Sequence, residues 1–174
     1  MIQIEKASVQ DLDGVEKLYN ESVHYLETHI NYPGWKCGIY PAREDAETAI
    51  SEDSLYVVKE NVQIIGSFIL RHKPEDGYKK ADWGIELGYD QIYVIDTFVI
   101  HPSVQRNGIG QTVMKYIIER SRREQMRAIR LDVVADNLPA IRLYEKAGFQ
   151  YITTVDLGYG MFGLHEFALY QLLL

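Results

Sequence analysis

The sequence is poor in cysteine, and its only residue of that type, Cys37, cannot form an intramolecular disulfide. A chain without disulfides fits a reducing compartment, so we expect a cytoplasmic protein. No apolar run approaches the ~18 residues that span a bilayer, and the first residues lack the charged-then-apolar layout of a signal peptide. We therefore expect no membrane partner.

Positive charge is also in short supply, since 18 Lys and Arg stand against 25 Asp and Glu, for a formal net charge of -7. Such a surface repels a phosphate backbone, so we expect no nucleic-acid partner. It suits a cationic substrate such as an amine, although solubility accounts for most of the charge. The five histidines show no metal-site spacing, and we expect no metal.

The apolar residues alternate between period 2 and period 3.6, which predicts a mixed α/β class. A length of 174 residues suits one domain over residues 1–174. We expect helices over residues 8–27, 43–50, 108–124 and 137–148, and strands over residues 2–4, 55–59, 63–71, 91–100, 128–134, 149–155 and 165–174. Residues 72–89 are polar and irregular and predict a loop. The last strand is apolar to its end and could pair or pack across subunits, so we expect a possible homodimer.

Two glycines, Gly108 and Gly110, lie between the strand that ends at residue 100 and the following helix. The first N–H groups of a helix have no internal partners, and glycines leave room for a phosphate beside them, so this junction predicts a pyrophosphate cradle. A simple turn explains such glycines as well. The residues after Gly110 do not fit a P-loop, and Val113 weakens a dinucleotide-binding fingerprint. Asp132, about 20 residues onward, keeps a nicotinamide-dependent oxidoreductase open as an alternative.

Two motifs carry a more specific signal. Residues 105–110 read QRNGIG, which is similar to Gln/Arg-x-x-Gly-x-Gly/Ala, and residues 137–149 read NLPAIRLYEKAGF, which is similar to Asn-x-x-Ala-x-x-Leu-Tyr-Glu-Lys-x-Gly-Phe. In this order and spacing they resemble the GCN5-related N-acetyltransferase (GNAT) superfamily over about residues 91–151. The resemblance implies a central mixed, mostly antiparallel twisted sheet of six to seven strands, flanked by about four helices. It also implies an acyl-CoA-dependent N-acyltransferase that moves acetyl from acetyl-CoA to a primary amine of a small molecule or a protein.

The same resemblance implies an acetyl-CoA site. The backbone of Phe98, Val99 and Ile100 would pair with the pantetheine arm. The backbone N–H groups that would hold the pyrophosphate are those of Gln105, Arg106, Asn107, Gly108, Ile109, Gly110 and Gln111. Asn137 would lie near the pantetheine and Tyr144 near the thioester sulfur.

Catalytic roles are less determined by the motifs. Tyr144 is a proton donor at neutral pH and would protonate the departing thiolate, or it is a packing aromatic of its helix. The general base would be Asp96 on the key strand or Glu86 in the preceding loop, directly or through water, although both also fit structural or solvated roles. Trp35 and Tyr40 would shape the acceptor pocket, or cap the core beside the first helix. A non-catalytic acyl-CoA-binding module stays open as a second alternative.

Overall fold

The computed structural model describes residues 1–174, which form seven strands and four helices. In chain order they are β1 (Ile2–Lys6), α1 (Leu12–Glu27), α2 (Arg43–Ser51), β2 (Leu55–Glu60), β3 (Gln63–Arg71), β4 (Ile92–Ile100), α3 (Ile109–Arg123), β5 (Ala128–Val134), α4 (Leu138–Lys146), β6 (Gln150–Val155) and β7 (Phe167–Leu173). Each predicted element is present, with ends that differ by a few residues.

The strands form one sheet in the order β1-β2-β3-β4-β5-β7-β6. The pairs β1–β2, β2–β3, β5–β7 and β6–β7 are antiparallel, and β4–β5 is parallel. The parallel register runs from Ile92 opposite Ala128 to Ile95 opposite Leu131, whereas β4 continues to Ile100. A mixed, mostly antiparallel sheet with four helices confirms the predicted fold class. It does not fit the doubly wound parallel sheet that the nicotinamide alternative requires.

The chain contacts divide into two compact units. The first unit consists of Met1–Asn31, Trp35–Leu70 and Asp96–Val113, and the second of Tyr32–Gly34, Arg71–Ile95 and Met114–Leu174. This division does not test the expectation of a single domain over residues 1–174, which stays a prediction.

In the first unit, α1 turns one apolar stripe toward the sheet. The stripe consists of the buried side chains of Leu12, Val15, Leu18 and Tyr19. It packs on Leu55 and Val57 of β2 and on Ile69 of β3. Each fully buried side chain of this kind contributes about 1.5–3 kcal/mol to folding. A capping box between Ser8 and Asp11 lies ahead of the helix, and the Ser8 N–H donates to Oδ2 of Asp11 at 2.9 Å.

The second unit has a separate core beneath the segment of residues 72–89. Its buried members are Tyr78, Ile92, Val94, Ala128 and Leu169, and they are joined by partly buried side chains that include Trp83 and Leu157. The segment predicted as an irregular loop therefore contains a 3-10 turn, Asp76–Lys80, that is anchored by Tyr78, whose exposed fraction is 2%. The polar composition of this segment gave no indication that Tyr78 and Trp83 pack into a core.

The position of β7 corrects one expectation. β7 lies between β5 and β6; it is paired with β5 along its whole length and with β6 from Phe167 to Gln171. Its apolar residues reflect burial inside the sheet, so it cannot add to the sheet of a second chain. The prediction that β7 pairs with a second chain is therefore wrong, and the edge strands are β1 and β6. Packing of the last strand across subunits stays a prediction.

None of the helices has both the length and the apolar character needed to pass through a membrane.

Candidate functional site

The junction between β4 and α3 lies wholly in the first unit up to Val113. After β4, a 3-10 turn at Pro102–Val104 leads into a loop in which Arg106 has φ +66° and Gly108 has φ +78°. Left-handed residues in a turn point successive N–H groups toward one side and form an anion-binding concavity. The sequence indicated this geometry at Gly108, where glycine is favoured, but not at Arg106.

The start of α3 adds further donors to this turn. The first backbone hydrogen bond of the helix is from the Thr112 N–H to the Gly108 carbonyl, at 3.0 Å. The N–H groups of Ile109, Gly110 and Gln111 consequently have no acceptor within the helix. A Cβ placed on Gly108 would meet no atom within 4 Å, so the space beside the turn is open. The junction fits a pyrophosphate because it offers N–H donors, the positive end of a helix dipole and open space beside them.

The end of β4 carries the residues predicted to face the pantetheine and the acceptor. Val99 is buried in the first core, and Phe98 and Ile100 are half-buried. The side chain of Gln105 donates from Nε2 to the Ile100 carbonyl at 3.0 Å, which ties the turn to the strand end. Asp96 is half-buried, like Phe98 and Ile100. The prediction that these three side chains share one face of the strand stays a prediction.

Thr97 lies between Asp96 and Phe98, and the sequence did not indicate its backbone conformation. Its φ is +45°, a conformation that is strained for a β-branched residue and that marks an irregularity in the strand. Its hydroxyl is hydrogen-bonded to the hydroxyl of Tyr40, which comes from the segment between α1 and α2. No local signal in the sequence points to this pair, because Thr97 stands inside a run of strand formers.

The two predicted acceptor-wall aromatics of the first unit lie together. Trp35 and Tyr40 meet edge to face with ring centroids 6.2 Å apart. Trp35 also packs against the first core, and Tyr40 is 38% exposed. Because Tyr40 bonds Thr97, next to Asp96, these aromatics lie at the strand position proposed for the base. Their geometry fits both a core-capping role and a pocket-wall role.

In the second unit, Asn137 and Tyr144 belong to α4 and its cap. The Asn137 side chain accepts a hydrogen bond from the Ala140 N–H at 3.4 Å, so it caps the helix. Tyr144 is 6% exposed, and its ring lies 6.0 Å from that of Phe149. Burial, and secondly the charge of Asp132, raise the pKa of Tyr144 well above its ordinary value. The phenol therefore keeps its proton at any physiological pH.

A cleft of about 860 Å³ lies in the second unit, walled by residues from Pro74 to Tyr89 and bordered by Arg130 of β5. Glu86, the alternative base, lines this cleft and is exposed. Tyr78 donates to Oδ2 of Asp132 at 2.7 Å. Asp132, which kept the nicotinamide alternative open, thus has a structural partner here. The alternation of Arg130 and Asp132 in an apolar strand was the available signal for this site.

The comparisons with known proteins agree with this architecture. Among curated proteins, mycothiol acetyltransferase of Brachybacterium faecium is 32% identical over 100 residues, covering 58% of this chain and 27% of that protein. UPF0157 protein YqkA of Bacillus subtilis is 30% identical over 134 residues, covering 75% of this chain and 37% of that protein. The chain thus spans between a quarter and two fifths of these relatives.

Solved structures match over nearly the whole chain. A GNAT-family acetyltransferase from Streptococcus agalactiae has a TM-score of 0.84 at 20% identity and covers 99% of this chain and 95% of that one. YncA from Salmonella typhimurium, solved with its cofactor acetyl-CoA, has a TM-score of 0.71 at 18% identity, with 99% and 94% covered. At these identities the likeness concerns the fold. The sequence model of the Acetyltransferase (GNAT) family matches residues 16–149, and the chain belongs to that family.

Proposed function

We propose that this protein is an acetyl-CoA-dependent N-acyltransferase that moves acetyl directly to a primary amine of a small molecule or a protein. The observation that carries the proposal is the junction of β4 and α3, where Gly108 leaves open space beside the unpaired N–H groups of a helix start. Membership of the GNAT family supports it.

The residues of the first unit fit this cofactor. In the proposal, backbone N–H groups from Gln105 to Gln111 hold the pyrophosphate, and the backbone from Phe98 to Ile100 pairs with the pantetheine arm. Asn137 uses its Oδ1 for the cap of α4, so its amide NH2 is the group offered to the pantetheine. When bound, acetyl-CoA supplies an activated acyl thioester.

The reaction then requires two proton transfers, one from the amine and one to the departing thiolate. An alkyl amine has a pKa near ~10, so the acceptor must lose a proton before it attacks. Asp96 or Glu86 is proposed to take that proton, directly or through water. The backbone N–H of Val99 or Ile100 is proposed to polarise the acyl carbonyl. Tyr144, which keeps its proton, is proposed to protonate the departing thiolate.

The choice of base has a direct test in a matched pair of variants, Asp96→Asn and Glu86→Gln. The variant that removes the base should lose the limb of the pH–rate profile that reports base deprotonation, while the other keeps it. We expect the loss in Asp96→Asn, because Glu86 is exposed. Profiles of kcat/KM against pH for both proteins decide it, and an unmoved profile in both would leave water as the route.

Cofactor choice is tested by melting temperature with acetyl-CoA, CoA, NADH or buffer. A ligand at ~100 times its Kd adds about 2.7 kcal/mol of stability, so acetyl-CoA should raise the melting temperature clearly and NADH should not. Binding of acetyl-CoA without turnover on any amine of a panel would indicate the non-catalytic binding module. No response to acetyl-CoA would remove the proposal.

The cellular context is part of the proposal. Cys37 is an exposed free thiol, which suits a reducing cytoplasm. The homodimer is retained as a proposal, either by packing of the last strand across subunits or by pairing of the edge strands β1 and β6.

A further inference from the structure

The second unit contains a buried cation without an acidic partner. Arg130, on β5, is 5% exposed. Its guanidinium makes one hydrogen bond, from Nε to Oε1 of Gln171 at 2.9 Å. Its Nη2 is enclosed and has no acceptor. Burial lowers the pKa of Arg130, against a smaller opposite effect of Tyr78, but an arginine stays charged. Buried charges are normally paired with an opposite charge, whereas the hydrogen-bond partner of this guanidinium is the neutral amide of Gln171.

The surroundings of Arg130 hold it in one orientation. Its guanidinium carbon lies 4.2 Å from the centre of the Trp83 ring, in a cation–π contact. The Trp83 indole donates to the Tyr78 carbonyl at 3.0 Å, and Gln171 donates to the Trp83 carbonyl at 3.0 Å. One face and one edge of the guanidinium are thus fixed by neighbours. The remaining edge, which carries Nη1 and Nη2, is the part that a planar, bidentate anion recognises.

Arg130 is one of the residues that line the cleft described above, together with Tyr78 and Trp83. Asp82 and Glu86, both exposed, also line the cleft and would attract an arriving ammonium group. The lining thus combines the buried charge of Arg130 with two exposed carboxylates and one exposed ammonium group, that of Lys79, which lies 3.3 Å from Asp76.

Asp132 is hydrogen-bonded to a residue of the cleft and also influences Tyr144 electrostatically. Arg130 and Asp132 lie two residues apart, on one face of β5. Tyr78 of the cleft donates to Asp132 at 2.7 Å, and the charge of Asp132 acts on Tyr144. The strand that carries Arg130 therefore also carries the charge that acts on the residue proposed to protonate the thiolate.

We propose that the free edge of Arg130 binds the carboxylate of the acceptor, so that the acceptor is an amino acid or another amine that carries a carboxylate. The proposal rests on the acyltransferase function proposed above, because it names the acceptor of that reaction. It reconciles the acidic surface, which favours an ammonium group, with a buried positive charge in the lining of the cleft.

Binding can be measured without acetyl-CoA, since Trp83 touches Arg130 and its fluorescence reports on the site. The probes are the common L-amino acids, each beside its carboxamide, and inorganic phosphate. We expect at least one amino acid to bind more than about tenfold more tightly than its carboxamide, as for a charge-assisted bidentate contact. The fluorescence response should vanish in Trp83→Phe.

The variants are Arg130→Met, Arg130→Lys and the control Arg127→Met, which makes the same charge change at an exposed position just before β5. The preference for the carboxylate should disappear in Arg130→Met, weaken in Arg130→Lys, which loses the fork but keeps the charge, and persist in Arg127→Met. If Arg130→Met does not fold, Arg130→Lys decides.

Three results would overturn the proposal: equal binding of amino acids and carboxamides, a preference that survives the Arg130 variants, and binding of phosphate in place of carboxylates. The melting response to acetyl-CoA is read separately. A normal response without carboxylate preference removes this inference alone. Carboxylate preference without an acetyl-CoA response removes the acyltransferase function and leaves an anion site.

Discussion

Replacing Gly108 with aspartate is expected to weaken acetyl-CoA binding by about 100-fold or more, a loss of about 2.7 kcal/mol. Two effects act together. A side chain at φ +78° strains the turn by about 1–2 kcal/mol. The carboxylate would also occupy the open space beside Gly108, next to the N–H groups at the start of α3. There its negative charge would repel the pyrophosphate. Calorimetric Kd values for both proteins measure the effect.

Gly38→Asp is the matched control for this substitution. Gly38 has φ +71°, and a Cβ there would also meet nothing within 4 Å, so strain and added charge are comparable. Gly38 lies outside the turn before α3, and its variant should bind acetyl-CoA like the parent protein. Equal affinities of Gly108→Asp and the parent protein for acetyl-CoA would mean that the pyrophosphate does not bind at this turn.

Features fixed by neighbouring residues could be predicted from the sequence. The turn before α3 needs a left-handed residue and a free helix start, and the pair Gly108 and Gly110 signals both. The Asn137 cap of α4 was predictable in the same way, since Asn is a preferred N-cap. These signals require no knowledge of distant contacts.

Features that depend on distant segments could not be predicted. Tyr40 and Thr97 lie 57 residues apart, and the left-handed conformation of Thr97 opposes its own strand propensity. The Arg130 site needs Trp83 and Gln171, which are 88 residues apart in sequence. Alternation in β5 places Arg130 and Asp132 on one face, but only the fold shows which side chains cover that face.

Tyr144→Phe is expected to lower kcat by about 10–100-fold, on the low side of general-acid effects. The phenol is buried, and its raised pKa keeps it protonated, so it holds a proton for the thiolate across the working pH range. Deprotonation of Tyr144 should therefore cause no loss of activity below about pH 10, the ordinary tyrosine pKa. Steady-state kinetics of the variant and the parent across pH test both statements.

Tyr170→Phe separates the loss of a catalytic proton from the loss of a buried hydroxyl. Tyr170 is 4% exposed, its pKa is also raised, to about 12 and first by burial, and its hydroxyl donates to Oε1 of Glu145 at 3.0 Å. Its variant should lose about 1 kcal/mol of stability, the value of one hydrogen bond, with kcat unchanged. Tyr144→Phe should instead reduce kcat, while the Kd for acetyl-CoA stays the same. If both variants kept the parent kcat, Tyr144 would be a packing aromatic of α4, and the thiolate would take its proton from water.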